Sequence, residues 1–307
     1  MVNKNNAISN KNSWDFSSAA DYPSWRTEKL RQASELAKET LILPIEDIAN
    51  LKSKERDEIY NRCEISNAVL YRDMAHEVAP ELISSRLRQF ANSLGLRIAE
   101  KHRSAGNDGI VSLQESESAG KKGYIPYSKR PINWHTDGYY NGPDQKIRAM
   151  VLHCTRAAEK GGKNQLLDPE IAYIRLHDAN PEYITALSHP QAMTIPENDE
   201  GNGKIRPVSI GPVFAIDPQT GKLEMRYTAR TRSIAWREDA ITAEAVAFLT
   251  ELLASDDPFI QTIQMQSGIG VLCNNSLHNR TGFDADMTKP SERLMMRVRF
   301  HNRVQGR

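Results

Sequence analysis

The sequence predicts a mainly β protein with α-helices: an antiparallel barrel or jelly roll clad by helices. Three observations carry this. Helical periodicity is concentrated in the first third of the chain, and after Gly106 short strand-like runs separated by turns take over. Strands and helices also do not alternate in the rhythm of a parallel βαβ sheet. Both the glycine-rich fingerprint of a dinucleotide fold and the phosphate-loop motif are missing. At 307 residues the chain suits one large domain or two small ones. The expectation is a single functional unit over 23–307, made of helical cladding at 23–107 and a β core at 108–307. It is preceded by an arm, residues 1–22, too rich in Asn, Ser and Lys to order itself.

The elements follow in order. A helix is predicted from Pro23 to about Leu41, with Leu30, Ala33, Ala37 and Leu41 at three- and four-residue steps. A second is predicted over Arg56 to Tyr71. The third has Pro80 at its start, Ile83, Leu87, Phe90, Ala91 and Leu94 on one face, and Gly95 as its stop. These helices carry no chemical motif, so their expected role is to cover a sheet. Strands are then expected at Ile110–Leu113, Gly123–Ile125, Ala149–Cys154 and, after the turn Lys160-Gly161-Gly162-Lys163, at Asn164–Leu167. Asp168-Pro169 and Asn180-Pro181 each pair a capping side chain with a proline and open two short helices, the second ending near Pro190. The polar stretch 191–205 is expected to be a loop or lid. Strands resume at Val208–Ala215 and Leu223–Tyr227, a helix at Thr242–Leu253, and strands at Phe259–Gln264, Gly270–Asn274 and Arg293–Asn302.

Composition narrows the class. Forty basic residues against 39 acidic ones give a formal net charge of +1, so no global field favours nucleic acid or an anionic membrane. Cys63, Cys154 and Cys273 show no CxxC spacing and cannot all pair, which fits a reduced, cytoplasmic protein. No signal peptide or membrane-length apolar run is present. Nucleic acid and membrane are not expected partners, and self-association into a homo-oligomer is compatible with the sequence.

The chemistry gathers around Asn133-Trp134-His135-Thr136-Asp137-Gly138. In an extended strand, residues two apart share a face, so His135 and Asp137 can present an imidazole and a carboxylate side by side. That donor pair suits ferrous iron, manganese or zinc, and one more histidine completes the 2-His-1-carboxylate set of non-haem iron oxygenases. His278, in Asn274-Asn275-Ser276-Leu277-His278-Asn279-Arg280, is the candidate. Fifteen residues on, Leu294, Met296, Val298 and Phe300 alternate with Arg293, Met295, Arg297, Arg299 and His301. One face of that strand is therefore apolar and the other is rich in arginine, able to bind acids if it points inward. By contrast His153, in an apolar strand, reads as a hydrogen-bonded core histidine. His76, His102, His177 and His189 have no partner spacing.

The run Asn133–Asp137, the Gly161-Gly162 turn, His278-Asn279-Arg280-Thr281-Gly282-Phe283 and the following Arg293 resemble the taurine dioxygenase and clavaminate synthase group of Fe(II)/2-oxoglutarate-dependent oxygenases. The likeness covers roughly residues 108–302. It implies a double-stranded β-helix core, Fe(II) held by His135, Asp137 and His278, and Arg293 on the distal carboxylate of the 2-oxoglutarate cosubstrate, with O2 as oxidant. Where relatives carry a threonine after the Gly-Gly turn this chain has Asn164, with Gln165 as an alternative contact. The resemblance also places Arg297 against an anionic substrate group, and Tyr139, Tyr140 and Arg280 are further pocket candidates. Because Asp137 keeps the carboxylate that halogenating relatives lack, hydroxylation or desaturation is the expected outcome. Two other readings of the same triad remain: a non-catalytic or zinc-binding jelly-roll protein, and a metal-dependent hydrolase. The first conflicts with Arg293, and the second lacks a nameable base.

Overall fold

The computed structural model describes residues 22–39, 41–97, 109–116, 124–199, 205–284 and 291–306. Apart from Tyr22, the expected arm at 1–22 lies outside them, as do the 98–108 junction, His102 and residues 200–204 of the expected lid.

Two antiparallel sheets form the core. The larger has six strands in the spatial order Ile42–Ile45, Ala68–Asp73, Ile269–Cys273, Ala149–Arg156, Leu294–Phe300 and Ile110–Leu113, with only the first pair parallel. The smaller has four, in the order Gln261–Gln264, Lys163–Leu167, Leu277–Arg280 and Ile132–His135. Leu166 and Ile263 from the smaller sheet pack with Val111, Met150, Val271 and Met295 from the larger, so the two face each other across a shared core. Leu167, next in sequence to Leu166, and its cross-strand partner Leu277 point the other way, as strand alternation requires.

Helices cover both outer faces. Helices α2 (Ser53–Ser66) and α3 (Pro80–Ser93) form the first group, whereas α1 (Tyr22–Leu36) packs Tyr22, Trp25, Leu30 and Ala33 with the second. Ile59 and Cys63 of α2 join Ile83, Leu87 and Phe90 of α3 against Met296, Val298 and Phe300 of the larger sheet. Helices α4 (Pro169–Ala179), α5 (Pro181–Leu187) and α6 (Ala240–Ala254) pack on the outside of the smaller sheet with Trp134, Leu167 and Leu277. The expected caps are present: Asp168 and Asn180 side chains accept from the backbone N–H two residues on. No helix among the described residues is long and apolar enough to cross a membrane.

Several expectations need correction. The first helix ends at Leu36, Leu41 is exposed, and the side chain that α1 buries is Lys29, which pairs with Asp168 at 2.6 Å and with Glu170. The helix expected through Tyr71 stops at Ser66. Asn67 then adopts φ 55°, its N–H bonding to the Cys63 carbonyl at 3.0 Å, and Ala68–Asp73 form a strand instead. Ile125–Tyr127 is a 3-10 turn, because Pro126 cannot donate to a ladder. Pro212 likewise splits the expected Val208–Ala215 strand into Ser209–Gly211 and Phe214–Ile216. Within 191–205, Met193–Ile195 is a strand, and Asn198–Asp199 pairs with Ile205–Arg206.

Candidate metal centre

The strand Leu277–Arg280 lies between its neighbours so that His278 sits directly opposite His135. The two imidazole centroids are 4.2 Å apart, and Asp137 Oδ1 is 3.8 Å from His135 Nε2. Ligand atoms of His135, Asp137 and His278 all fall within 4.8 Å of one another. Asp137 does not share a strand with His135 as the spacing suggested. The strand ends at His135, and Asp137 follows in a turn, with the Thr136 N–H bonded to the Tyr227 carbonyl at 3.0 Å.

Both histidines are oriented alike. Nδ1 of His135 lies 2.9 Å from the Asn133 carbonyl and Nδ1 of His278 lies 3.0 Å from that of Ser276. A carbonyl can only accept, so each Nδ1 carries the proton and each Nε2 presents its lone pair. Burial, then the neighbouring His278, pushes the His135 imidazole down to about 3, which keeps it neutral and ready to bind a cation. Burial alone would raise the Asp137 carboxyl. Arg299 and then Arg297 outweigh it and hold the group ionised well below the usual carboxylate range. Its Oδ2 is buried and accepts no hydrogen bond. Two imidazoles and a carboxylate with a spare oxygen make a donor set that fits Fe(II).

One residue escaped the sequence reading. The Asn275 side chain accepts from the Asp137 N–H at 2.7 Å and donates to the carbonyls of Asp137 at 3.0 Å and Ile147 at 2.7 Å. It stands at φ 55° in the turn between Ile269–Cys273 and Leu277–Arg280. That amide clamps the acid's backbone in place. The Asn274-Asn275 pair was the available signal, since asparagine tolerates left-handed backbone better than most residues.

The Gly161-Gly162 turn positions the arginine side of the site. Both glycines have positive φ, and a Cβ on Gly161 would stand 2.4 Å from the Gly282 carbonyl oxygen. This approach lets the Gly162 N–H bond to that oxygen at 3.0 Å and brings Phe283 alongside. Arg293, only 5 % exposed, lies over the Phe283 ring at 4.9 Å and has no carboxylate within ion-pair distance among the described residues. Asn164 is also buried, and its Nδ2 has no hydrogen-bond partner. A guanidinium and an amide donor, both desolvated, fit a carboxylate ligand. Gln165 instead bonds Asn279 and Thr262 through its side chain.

The other candidates fall into two groups. Arg297 and Arg299 approach Asp137. Tyr139 meets His135 edge-on with centroids 6.3 Å apart, and Tyr140 accepts from Arg299 at 3.2 Å. Arg280 is instead engaged by the carbonyls of Ser128 and Arg130 and lies over Phe283, and burial pushes its guanidinium down to about 9. That is a structural setting, and a substrate role for Arg280 gains nothing from it. His153 is fully buried with Nδ1 3.2 Å from the Tyr71 hydroxyl, as expected of a core histidine.

The sequence profile of the taurine catabolism dioxygenase TauD, TfdA family matches residues 27–299. Among curated proteins, a uridine-5'-phosphate dioxygenase from Amycolatopsis sp. is 33% identical over 99 residues, which is 31% of this chain and 33% of that protein. The match thus spans about a third of that relative's length. Among solved structures, the non-haem iron oxygenase OrfP, bound to Fe, succinate and (3S)-hydroxy-L-Arg, superposes with a TM-score of 0.60 at 16% identity, covering 89% of this chain and 84% of OrfP. An asparagine oxygenase in complex with Fe(II), 2S,3S-3-hydroxyasparagine and succinate gives 0.58 at 13% identity, covering 90% and 91%. At such identities the likeness is one of fold.

Proposed function

Because the chain belongs to the taurine catabolism dioxygenase TauD, TfdA family, we propose that it is an Fe(II)- and 2-oxoglutarate-dependent dioxygenase acting on a small polar substrate, anionic or amino-acid-like. The two facing sheets are its double-stranded β-helix. The observation that carries the reading is the convergence of His135, Asp137 and His278, with both Nε2 atoms freed by backbone carbonyls. The uridine-5'-phosphate dioxygenase favours a polar, anionic substrate, and the neighbours bound to hydroxylated arginine and asparagine favour an amino-acid-like one.

His135, Asp137 and His278 would hold Fe(II) through two imidazole nitrogens and a carboxylate oxygen. When bound, the iron couples oxidative decarboxylation of 2-oxoglutarate to succinate and CO2 with oxidation of an unactivated C–H bond. Arg293 grips the distal carboxylate through paired charge-assisted hydrogen bonds, and Nδ2 of Asn164 supplies the second contact. Phe283 and the Gly161-Gly162 turn exclude water from that pair. Arg297 faces the substrate's acid group, with Tyr139 and Tyr140 at the pocket wall.

The test is succinate formation from 2-oxoglutarate by the purified chain with Fe(II), ascorbate and O2, against a panel of polar acids. Turnover that requires all three additions and vanishes in Asp137→Ala supports the reading. Metal-dependent chemistry without succinate would point to the hydrolase or zinc-binding alternatives.

A further inference from the structure

A cavity of about 210 Å³ lies beside the Asn275 clamp, bounded by Asn274 and Asn275 and by residues 209–213 and 223–226. Asp137 reaches its lining, whereas His135, His278, Asn164, Arg293 and Arg297 do not. The lining runs from the buried Val213 to the exposed Ile210, so a ligand can enter beside the strand Ser209–Gly211.

The wall is amphipathic. Ile147, Val213, Leu223 and Met225 give it an apolar surface, and four cations, Lys146, Arg148, Arg226 and Arg303, line it as well. Those cations are not equivalent. Lys146 and Arg148 share the Glu224 carboxylate, at 2.8 and 2.9 Å. Arg226 spends its guanidinium donors on the carbonyls of Tyr139, Met193, Gly211 and Ser209 and on the Ser209 hydroxyl. It ties the segment 209–213 to the loop after Asp137 and keeps no donor for a ligand. Arg303 differs. It is 8 % exposed and donates to the Leu223 carbonyl at 3.3 Å and the Asn67 side chain at 2.6 Å, with no carboxylate within ion-pair distance among the described residues. The acid beyond Asn67, Asp168, is already paired with Lys29. A guanidinium carries five N–H donors, so most of those on Arg303 are unspent. A buried cation with unused donors at the edge of an apolar chamber suits an anionic oxygen.

We propose that this cavity is a binding site for a small monocarboxylate with an apolar, ring-sized body, its carboxylate seated on Arg303. Volume and charge select that class. An apolar cavity of about 150 Å³ holds benzene, so one of about 210 Å³ holds such a ring with a carboxylate attached. One guanidinium with spare donors matches one planar carboxylate through paired hydrogen bonds, whereas a dianion would leave a charge buried without a partner. The occupant touches both the Asn275 clamp and the segment 209–213, and so steadies the loop that carries Asp137. The site uses neither the metal ligands' imidazoles nor Arg293, and the inference does not need the oxygenase reading.

The test is a calorimetric titration of the metal-free full-length chain with benzoate, and with benzamide as its neutral analogue of the same shape. One benzoate per chain is expected, with a Kd of about 1 mM or tighter, the order that burial of one ring supplies. Benzamide is expected to bind at least about tenfold more weakly, the factor for one lost charge-assisted contact. Arg303→Gln should remove the preference for benzoate, and saturating Mn(II) with 2-oxoglutarate should leave it in place. An absence of saturable benzoate binding, equal binding of benzamide, or a preference that survives in Arg303→Gln overturns the inference. Displacement of benzoate by Mn(II) and 2-oxoglutarate overturns it too, because it puts benzoate at the cosubstrate site. The benzamide comparison is made on the parent, so it remains decisive even where Arg303→Gln does not fold. A chain that binds benzoate as expected but neither Mn(II) nor 2-oxoglutarate upholds this site and overturns the oxygenase reading alone.

Discussion

Replacing Asn275 with alanine removes the three hydrogen bonds that hold the Asp137 backbone and the Ile147 carbonyl, at 2.7, 3.0 and 2.7 Å. Each is worth about 1 kcal/mol net, and the buried N–H and carbonyls left behind add desolvation cost. Alanine at φ 55° adds roughly 1 kcal/mol of backbone strain. Together the loss is about 4 kcal/mol, which for a domain of this size lowers the melting temperature by about 6 °C. Asn275→Gly separates the contributions, since glycine keeps the left-handed conformation and loses only the amide. The chain is also expected to lose metal affinity by about 10- to 100-fold, as when other partners that orient a ligand are removed. Thermal unfolding and a parallel Mn(II) titration measure both. An Asn275→Ala protein within 0.5 °C of the parent, a margin of roughly 0.3 kcal/mol, and with unchanged metal affinity would refute the clamp.

Gly161→Ala places a Cβ 2.4 Å from the Gly282 oxygen at a positive φ, so a destabilisation of roughly 2–4 kcal/mol is expected by urea unfolding, with 2-oxoglutarate affinity falling as Phe283 and Arg293 shift. Lys29→Met strands two buried carboxylates, Asp168 and Glu170, and is expected to cost about 3–5 kcal/mol, which a stability curve at neutral pH would detect. His153, fully buried and pushed down to about 4 by desolvation, is protonated more readily in the unfolded chain. Its stabilising contribution is therefore complete above the unfolded pKa of about 6.5 and is lost as pH falls toward 4, roughly 2 kcal/mol by pH 5. In His153→Gln the drop in urea midpoint between neutral pH and pH 5 should shrink, and an unchanged drop would assign the acid sensitivity elsewhere.

What the sequence revealed and what it hid have separate physical origins. His135, Asp137 and His278 were legible because metal donors are chemically distinctive and their spacing constrains which can meet. The arginine face of Leu294–Phe300 was legible because a strand has a period of two. Its apolar side does pack on the helices, with Met296, Val298 and Phe300 in one cluster, while Met295 faces the other sheet. The strand Ala68–Asp73 was hidden behind a helical pattern that runs past its true end. The stop is one residue, Asn67, whose side chain bonds Asp168 and Arg303, distant in sequence. Lys29 broke the rule that a helix buries its apolar stripe, because its acid partners are the Asp168 cap and Glu170 at the start of α4. The Asn275 clamp was invisible for the same reason: its value lies in reaching Asp137 and Ile147, more than 120 positions earlier.

The central claim is that three side chains from two distant segments bind one ion, and a metal titration of the parent with His135→Ala, Asp137→Ala and His278→Ala tests it most directly. One Mn(II) per chain is predicted for the parent, with metal-dependent binding of 2-oxoglutarate, and each substitution should abolish both at micromolar metal. Parent-like affinity in any one of the three, in a variant shown by circular dichroism to be folded, would contradict it.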